Sequence, residues 1–304
     1  MGAITARRRI IWVAVAILVA AAAVVTGFLV AGAREQQALP APTPTAEPTR
    51  TPTATPAPTP TPSPTPEGHP ENTRAYDLAS LQVVEVFEVN PALPVDDNPD
   101  GDTEPLTAQP LAEGAPVFAD PTGEPVAYLP RTQHFEGTVV PVIEREEHWV
   151  RVLLVGRQAI PSQGDPGQVT GWLRMADVEL AANPYRVEVD LSDRTIDIVT
   201  GGESERVASD FASGATATPT PRGRSFVMTT RTASLAYTRG LPLVYLSAQS
   251  PVLDGFDGQS VAVTAFHYHD AHSGEISNGC IRLDESAITR LAELPEGTPV
   301  YIRD

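Results

Sequence analysis

Residues 266–283 (FHYHDAHSGEISNGCIRL) hold the only cysteine of a 304-residue chain and three of its six histidines. A thiolate is a strong nucleophile near neutral pH, and an imidazole within hydrogen-bond reach can take the thiol proton. Cys280 beside His267 therefore points to nucleophilic acyl transfer, with His269 or His272 as other candidates for the base. Gly279, directly before the cysteine, lets the backbone take unusual φ values and approach a substrate closely. The Gly279 and Cys280 amides are candidate oxyanion donors, with Ser277 and Asn278 shaping the turn. Arg282 is a candidate carboxylate contact or a structural hydrogen-bond donor, and His269 a substrate contact if it is not the base. A lone cysteine in an exported chain is a working thiol, an intermolecular bridge, or a buried inert residue. A metal reading also exists, because His267, His269, Asp270, His272 and Cys280 are competent zinc ligands. Asp270 sits one position early for a His-x-His-x-Asp-His hydrolase, and only 32 residues follow His272 to supply later ligands.

These groups need a scaffold, and the flanking pattern describes one. Val261, Val263, Ala265, His267 and His269 recur at every second position, so on a strand they share one face. Tyr185, Val187, Val189 and Leu191 alternate with polar residues. Ser192-Asp193-Arg194 then turns the chain, Ile196 and Ile198 resume the alternation, and Gly201-Gly202 turns it again. Asp284 reads as the N-cap of a short helix carrying Ile288, Leu291 and Leu294. Pro295-Glu-Gly297 ends that helix, and residues 298–303 read as a last strand. The expectation is a mainly β domain with one short helix after the cysteine.

The run Ser277-Asn-Gly-Cys-Ile-Arg282, with His267 at the end of a strand, resembles the signature of L,D-transpeptidases with a YkuD-type catalytic domain. "VEVDLSDRTIDIV" resembles the opening of that domain, Ser213-Gly214 a strand end, and Thr218-Pro-Thr-Pro-Arg-Gly223 its Thr-Pro-x-Gly loop. The likeness covers residues 184 to 302, and Asn278 stands where many members carry His or Arg. It implies acyl exchange on peptidoglycan stem peptides: Cys280 attacks the third residue of a tetrapeptide and expels D-alanine, and a neighbouring side-chain amine accepts the acyl group in a 3→3 crosslink. His267 would be the base. The chemistry needs no cofactor and no metal. A non-catalytic wall-binding or scaffold protein with a degenerate transpeptidase domain is the main alternative, and a zinc hydrolase is a further one.

Upstream, Arg7, Arg8 and Arg9 precede an uncharged apolar run over residues 10–33. At about 1.5 Å per residue such a helix crosses a hydrocarbon core of about 30 Å. Basic residues on its N-terminal side place residues 1–9 in the cytoplasm and everything after Arg34 outside. The expectation is a single-pass anchor in the cell membrane, although Ala31-Gly32-Ala33 resembles a cleavage site. Residues 34–72 form a Thr/Pro-rich linker, an extended spacer at about 3.1 Å per residue. A formal charge of −17 argues against a nucleic-acid partner, since phosphate binding needs neutralising Lys and Arg. Residues 73–182 read as all-β, beginning with the β-branched run Leu81 to Val89. Short strands follow at 115–118, 126–129, 137–142, 149–155 and 171–173, with Trp149 and Trp172 expected in the core. This region loosely resembles bacterial SH3-like small β-barrels, which implies a wall-binding or spacer role. Its acidic stretch (Asp96, Asp97, Asp100, Asp102, Glu104) lacks EF-hand spacing and reads as a solvated loop. The catalytic region is then 183–304, and nothing in the sequence fixes an oligomeric state.

Overall fold

The computed structural model describes residues 68–304. The expected anchor at 10–33 and all of the linker before Gly68 lie outside them. Among the described residues no helix is long and apolar enough to cross a membrane.

Alternating apolar and turn-forming residues build two sheets in one compact unit. The first has seven strands: β1 (Leu106–Pro110), β2 (Gly114–Phe118), β3 (Pro125–Pro130), β4 (Val140–Arg145), β5 (Trp149–Leu154), β6 (Val169–Arg174) and β7 (Val178–Ala182). Its order is β3-β2-β6-β5-β4-β1-β7. That order is linear, and among the described residues no pairing joins the β3 and β7 edges. Trp149 is fully buried, meets Phe118 edge-to-face at 5.0 Å, and donates from Nε1 to the Pro70 carbonyl at 2.9 Å. Trp172 is buried in the same cluster. The contact to Pro70, with His69 hydrogen-bonded to Glu146, shows the packed structure under way by Gly68, inside the span read as linker. The run Leu81 to Val89 is not a regular strand. It makes isolated bridges at Val83 and Val89 and turns between them, the Glu88 amide donating to the Glu85 carbonyl.

The second sheet has ten strands. They are β8 (Tyr185–Asp190), β9 (Thr195–Thr200), β10 (Glu203–Ala208), β11 (Ala212–Gly214), β12 (Gly223–Thr232), β13 (Pro242–Gln249), β14 (Val263–Tyr268), β15 (Gly274–Ser277), β16 (Ile281–Leu283) and β17 (Pro299–Arg303). Helix α1 (Glu285–Leu291) follows β16, capped as expected: the Asp284 carboxylate accepts from the Ala287 amide at 2.8 Å. The order is β10-β9-β8-β17-β12-β13-β14-β16-β11-β15.

Strand β12 explains how the two sheets join. Residues two apart point the same way on a strand. Phe226 and Met228 enter the core of the first sheet, while Val227 enters a second core with Val244, Leu246, Phe266 and the α1 residues Ile288 and Leu291. One face of the ten-stranded sheet is thus covered by α1 and the other by the upstream domain.

Polar contacts lock that junction and correct the reading of the acidic stretch. Asp96 is buried and takes a bidentate ion pair from Arg224 of β12, Nε and Nη2 each at 2.8 Å, with side-chain exposures of 2% and 4%. Arg224 also donates to the Gly101 and Asp102 carbonyls, and Thr103 meets the Tyr301 hydroxyl. The stretch is solvated only in part because one carboxylate supplies the counter-charge for a buried guanidinium. Removing one member of such a pair strands the other in low dielectric. Arg224→Met is therefore expected to cost about 3–5 kcal/mol of stability in urea unfolding. Adding Asp96→Asn should recover a large part of it. A loss below about 1 kcal/mol, as exposed pairs give, contradicts this assignment.

Candidate active site

Three adjacent strands carry the candidate residues. Strands β13 and β14 run antiparallel with Tyr245 opposite Ala265 and Leu243 opposite His267. Strands β14 and β16 run parallel with His267 opposite Arg282. Cys280 immediately precedes β16. The five alternating residues Val261, Val263, Ala265, His267 and His269 all border one cavity of about 640 Å³, together with Ser277, Asn278, Cys280 and Arg282. His272 does not. It borders a separate cavity with Asp270, Asp284 and Arg206, so the run of three histidines does not converge. Among the described residues no group of three His, Cys, Asp or Glu side chains is arranged to hold a metal ion.

The turn before the cysteine is braced from beneath. The Ser277 carbonyl accepts from the Ala215 amide and the Thr218 hydroxyl, each at 2.9 Å, and the Thr220 hydroxyl accepts from the Gly214 amide at 2.8 Å. This is the task of the Thr218-Pro-Thr-Pro-Arg-Gly223 loop. A Cβ on Gly214 would stand 2.3 Å from the Thr218 carbonyl oxygen, which explains the glycine. The Ser277 hydroxyl donates to the Cys280 carbonyl at 2.5 Å and accepts from the Gly279 amide at 3.1 Å. Gly279 has φ of +110°, a value open to glycine at little cost. Its amide, expected as an oxyanion donor, is thus directed at Ser277, and of the two amides proposed for that role Cys280 is the remaining one.

Hydrogen bonds decide which histidine nitrogen can accept a proton. His267 is buried, and its Nδ1 lies 2.9 Å from the Tyr268 carbonyl. A carbonyl only accepts, so Nδ1 carries the hydrogen and the neutral ring keeps its lone pair on Nε2. In His269 the logic reverses. The Ala271 amide donates to Nδ1 at 2.9 Å, so the hydrogen of the neutral ring sits on Nε2, and that nitrogen donates. His272 Nδ1 bonds the His269 carbonyl at 2.8 Å, which frees its Nε2, but toward the other cavity. Tyr237, in a short 3-10 turn before β13, packs edge-to-face on His267 at a centroid distance of 5.2 Å. Sequence reading missed it, because only the fold brings residue 237 to residue 267.

Burial disfavours the charged form of both the Cys280 thiol and the His267 imidazole. The thiol is half-buried and donates to the Val263 carbonyl at 4.0 Å. Burial pushes its pKa up, against smaller opposing effects of a backbone hydrogen bond from Ala265 and the Arg282 charge. Burial also lowers the pKa of His267, with the Tyr268 carbonyl opposing and Arg282 and His269 reinforcing. A raised thiol and a lowered imidazole together favour S–H with neutral imidazole over thiolate with imidazolium. Alkylation of Cys280 by a small reagent is therefore expected to keep rising from neutral into alkaline pH, without a low-pH plateau. A plateau persisting down to about pH 5 signals a preformed ion pair and contradicts this. Arg282 lies beside the thiol on the cavity wall, and its buried Nε has no hydrogen-bond partner in the protein. A buried donor without a partner is costly and is suited to an incoming carboxylate.

The residues that carry this geometry fall inside one known domain. Residues 184–302 match the model of the L,D-transpeptidase catalytic domain, YkuD. The match begins at β8 and ends within β17, so this YkuD-matched domain contains every strand of the ten-stranded sheet. No curated protein matches the chain. Solved structures similar to it include an L,D-transpeptidase from Mycobacterium smegmatis, at 14% identity over 52% of this chain and 91% of that one, TM-score 0.31. The NMR structure of the catalytic domain of the Enterococcus faecium L,D-transpeptidase is 26% identical over 39% of this chain and 95% of that one, TM-score 0.28. L,D-transpeptidase 3 from Mycobacterium tuberculosis, in complex with a faropenem-derived adduct, is 13% identical over 52% and 92%, TM-score 0.32. The family-model match, and not these superpositions, is what likens residues 184–302 to that domain. It does not reach the upstream sheet, and no finding supports the SH3-like resemblance there.

Proposed function

We propose that the chain is a peptidoglycan L,D-transpeptidase that forms 3→3 crosslinks through an acyl-enzyme on Cys280. The observation that carries this reading is the hydrogen bond from His267 Nδ1 to the Tyr268 carbonyl, which leaves Nε2 as the proton acceptor in the cavity shared with Cys280. His267 Nε2 takes the thiol proton as sulfur adds to the carbonyl carbon of the third stem residue. The Cys280 amide receives the developing oxyanion, a contact worth most where water is excluded. The carbon–nitrogen bond then breaks, and the imidazolium returns its proton to the departing amine of D-alanine. In the second half the side-chain amine of another stem attacks the thioester, gives its proton to His267, and expels the thiolate, which is reprotonated. Arg282 holds a stem carboxylate. The pathway is closed in protons and electrons and calls on no cofactor.

The same reading gives residues 10–33 the task of a membrane anchor and 34–67 that of a spacer, so the catalytic domain works outside the cell at the level of the wall. Support for this comes from the sequence pattern alone. The enzymatic part is tested by treating isolated wall material with the purified protein, digesting it, and separating the muropeptides. New 3→3 dimers with stoichiometric release of D-alanine are expected. Dimers absent while the thiol remains alkylatable count against it.

A further inference from the structure

The cavity above Cys280 is not built by the YkuD-matched domain alone. Phe87 and Phe135 border it, and both belong to the upstream domain. Phe87 sits in the turn closed by Glu85 and Glu88, and Phe135 in the loop between β3 and β4. Phe87 meets Phe135 edge-to-face at 5.6 Å, and Phe135 meets Tyr245 of β13 at 5.1 Å. The Arg231 guanidinium covers Phe135 at 4.7 Å. An aromatic row therefore runs from the upstream domain into the β13–β14 wall of the site. The upstream domain also fixes the opposite rim. Arg157, after β5, is 1% exposed and donates from Nη2 to the Asp254 carbonyl at 2.5 Å and the Ser260 carbonyl at 2.8 Å. Ser162 holds the Asp254 carboxylate through its amide and hydroxyl. Those bonds pin residues 250–262, whose Phe256, Gln259 and Val261 line the same cavity.

The exposure pattern shows what this wall is for. Among the described residues seven large apolar side chains are exposed, and four of them, Phe87, Leu235, Tyr237 and Phe256, border this one cavity. Such clustering marks a ligand surface, where isolated exposed apolar residues do not. Among the described residues Asp257 and Arg282 are the only carboxylate and guanidinium on the lining, so between them the wall offers hydrophobic contact and little charge.

We infer that the upstream domain is part of the substrate site: Phe87 and Phe135 bind an uncharged, aliphatic stretch of the acyl donor and set its specificity. This rests on Cys280 being the acyl acceptor. Phe87 and Phe135 act by holding the donor over the thiol and are not themselves part of the acyl chemistry, so their loss raises KM and leaves kcat near its wild-type value.

The test uses the full chain with Phe87→Ala, Phe135→Ala, the double variant, and Phe87→Leu/Phe135→Leu. Acylation by a tetrapeptide donor is measured alongside alkylation by iodoacetamide, which needs the thiol and its base but no contact with a donor-binding wall. A phenyl group withdrawn from contact is expected to lower kcat/KM by about tenfold, and the pair by about a hundredfold, through KM. The double leucine variant, which keeps apolar bulk, should restore most of it, while alkylation stays within about twofold. Acylation by the double alanine variant at the wild-type rate overturns the inference alone. So does a parallel fall in alkylation and melting temperature, which makes the two residues structural supports. A wild-type chain that alkylates and yet takes no acyl group from the tetrapeptide overturns the proposed function and this inference with it.

Discussion

Cys280→Ala is expected to abolish acyl exchange and leave the fold in place. Its effect on the fold should be small because the one hydrogen bond the side chain donates is long, to the Val263 carbonyl at 4.0 Å. The turn around it is held by other groups, the Ser277 hydroxyl on the Cys280 carbonyl and the Thr218 hydroxyl on the Ser277 carbonyl. Its effect on rate should be total, because no second nucleophile stands in line. Loss of a covalent nucleophile costs roughly 10⁴-fold or more, and what remains is only catalysis by binding and oxyanion contacts. Cys280→Ser separates geometry from reactivity. The hydroxyl keeps a polar O–H at nearly the same place, but an alcohol ionises far less readily than a thiol. Serine should therefore be nearly as inactive as alanine. Crosslinking assays on both variants check this, with melting temperatures as the control for folding. More than a few per cent of wild-type activity in either one contradicts the assigned role.

His267→Gln carries the second large effect. Glutamine keeps a hydrogen-bonding side chain but cannot take up the proton that Nε2 of His267 is proposed to accept. General-base removal costs about 10²–10⁴-fold, and that range is expected for both acylation and alkylation near neutral pH. His269→Gln should lose less than about tenfold, because the nitrogen facing outward in the neutral ring already carries a hydrogen, its Nδ1 being held by the Ala271 amide. His272→Gln should be close to wild type, since that ring borders a different cavity. The pH profile is an independent check. Burial lowers the His267 pKa from its ordinary 6.5, so the neutral, base-competent form persists to more acidic pH than a free histidine allows. The acid limb of acylation must accordingly lie below pH 6.5 in the wild type and vanish in His267→Gln. If His269→Gln shows the larger loss, the assignment of the base is wrong.

The parts of this protein that were legible in its sequence share a physical signature. Strands β8 and β9 alternate because one face is buried and one is wet, and Gly201-Gly202 announces its turn by adopting positive φ. Asp284 is visible as a cap because a short polar side chain before an apolar run has few other uses there. The shared face from Val261 to His269 follows from the two-residue repeat of a strand, and all five residues do line one cavity. The long central strand β12 was not legible for the opposite reason. It is buried on both faces over Gly223–Thr229, and a doubly covered strand loses its alternation. The ion pair between Asp96 and Arg224 joins residues 128 positions apart, so no local pattern reports it, and Asp96 read as solvent-exposed beside its acidic neighbours. The same holds at the site. That Cys280 and His267 border one cavity was accessible because both residues lie in one short run. Tyr237, Phe87 and Phe135 reach the cavity only through long-range sheet pairing and domain packing. The tautomers that separate His267 from His269 depend on which backbone group each Nδ1 meets, which composition does not encode.

The most direct test is the intact mass of the full-length protein during reaction with a tetrapeptide donor and no acceptor amine, followed by fragmentation to place the modification. The expectation is a single acyl group on Cys280, one D-alanine released for each, and discharge of the adduct when an amine acceptor is added. An unmodified Cys280 in protein whose thiol still reacts with iodoacetamide, or an acyl group on any other residue, contradicts it.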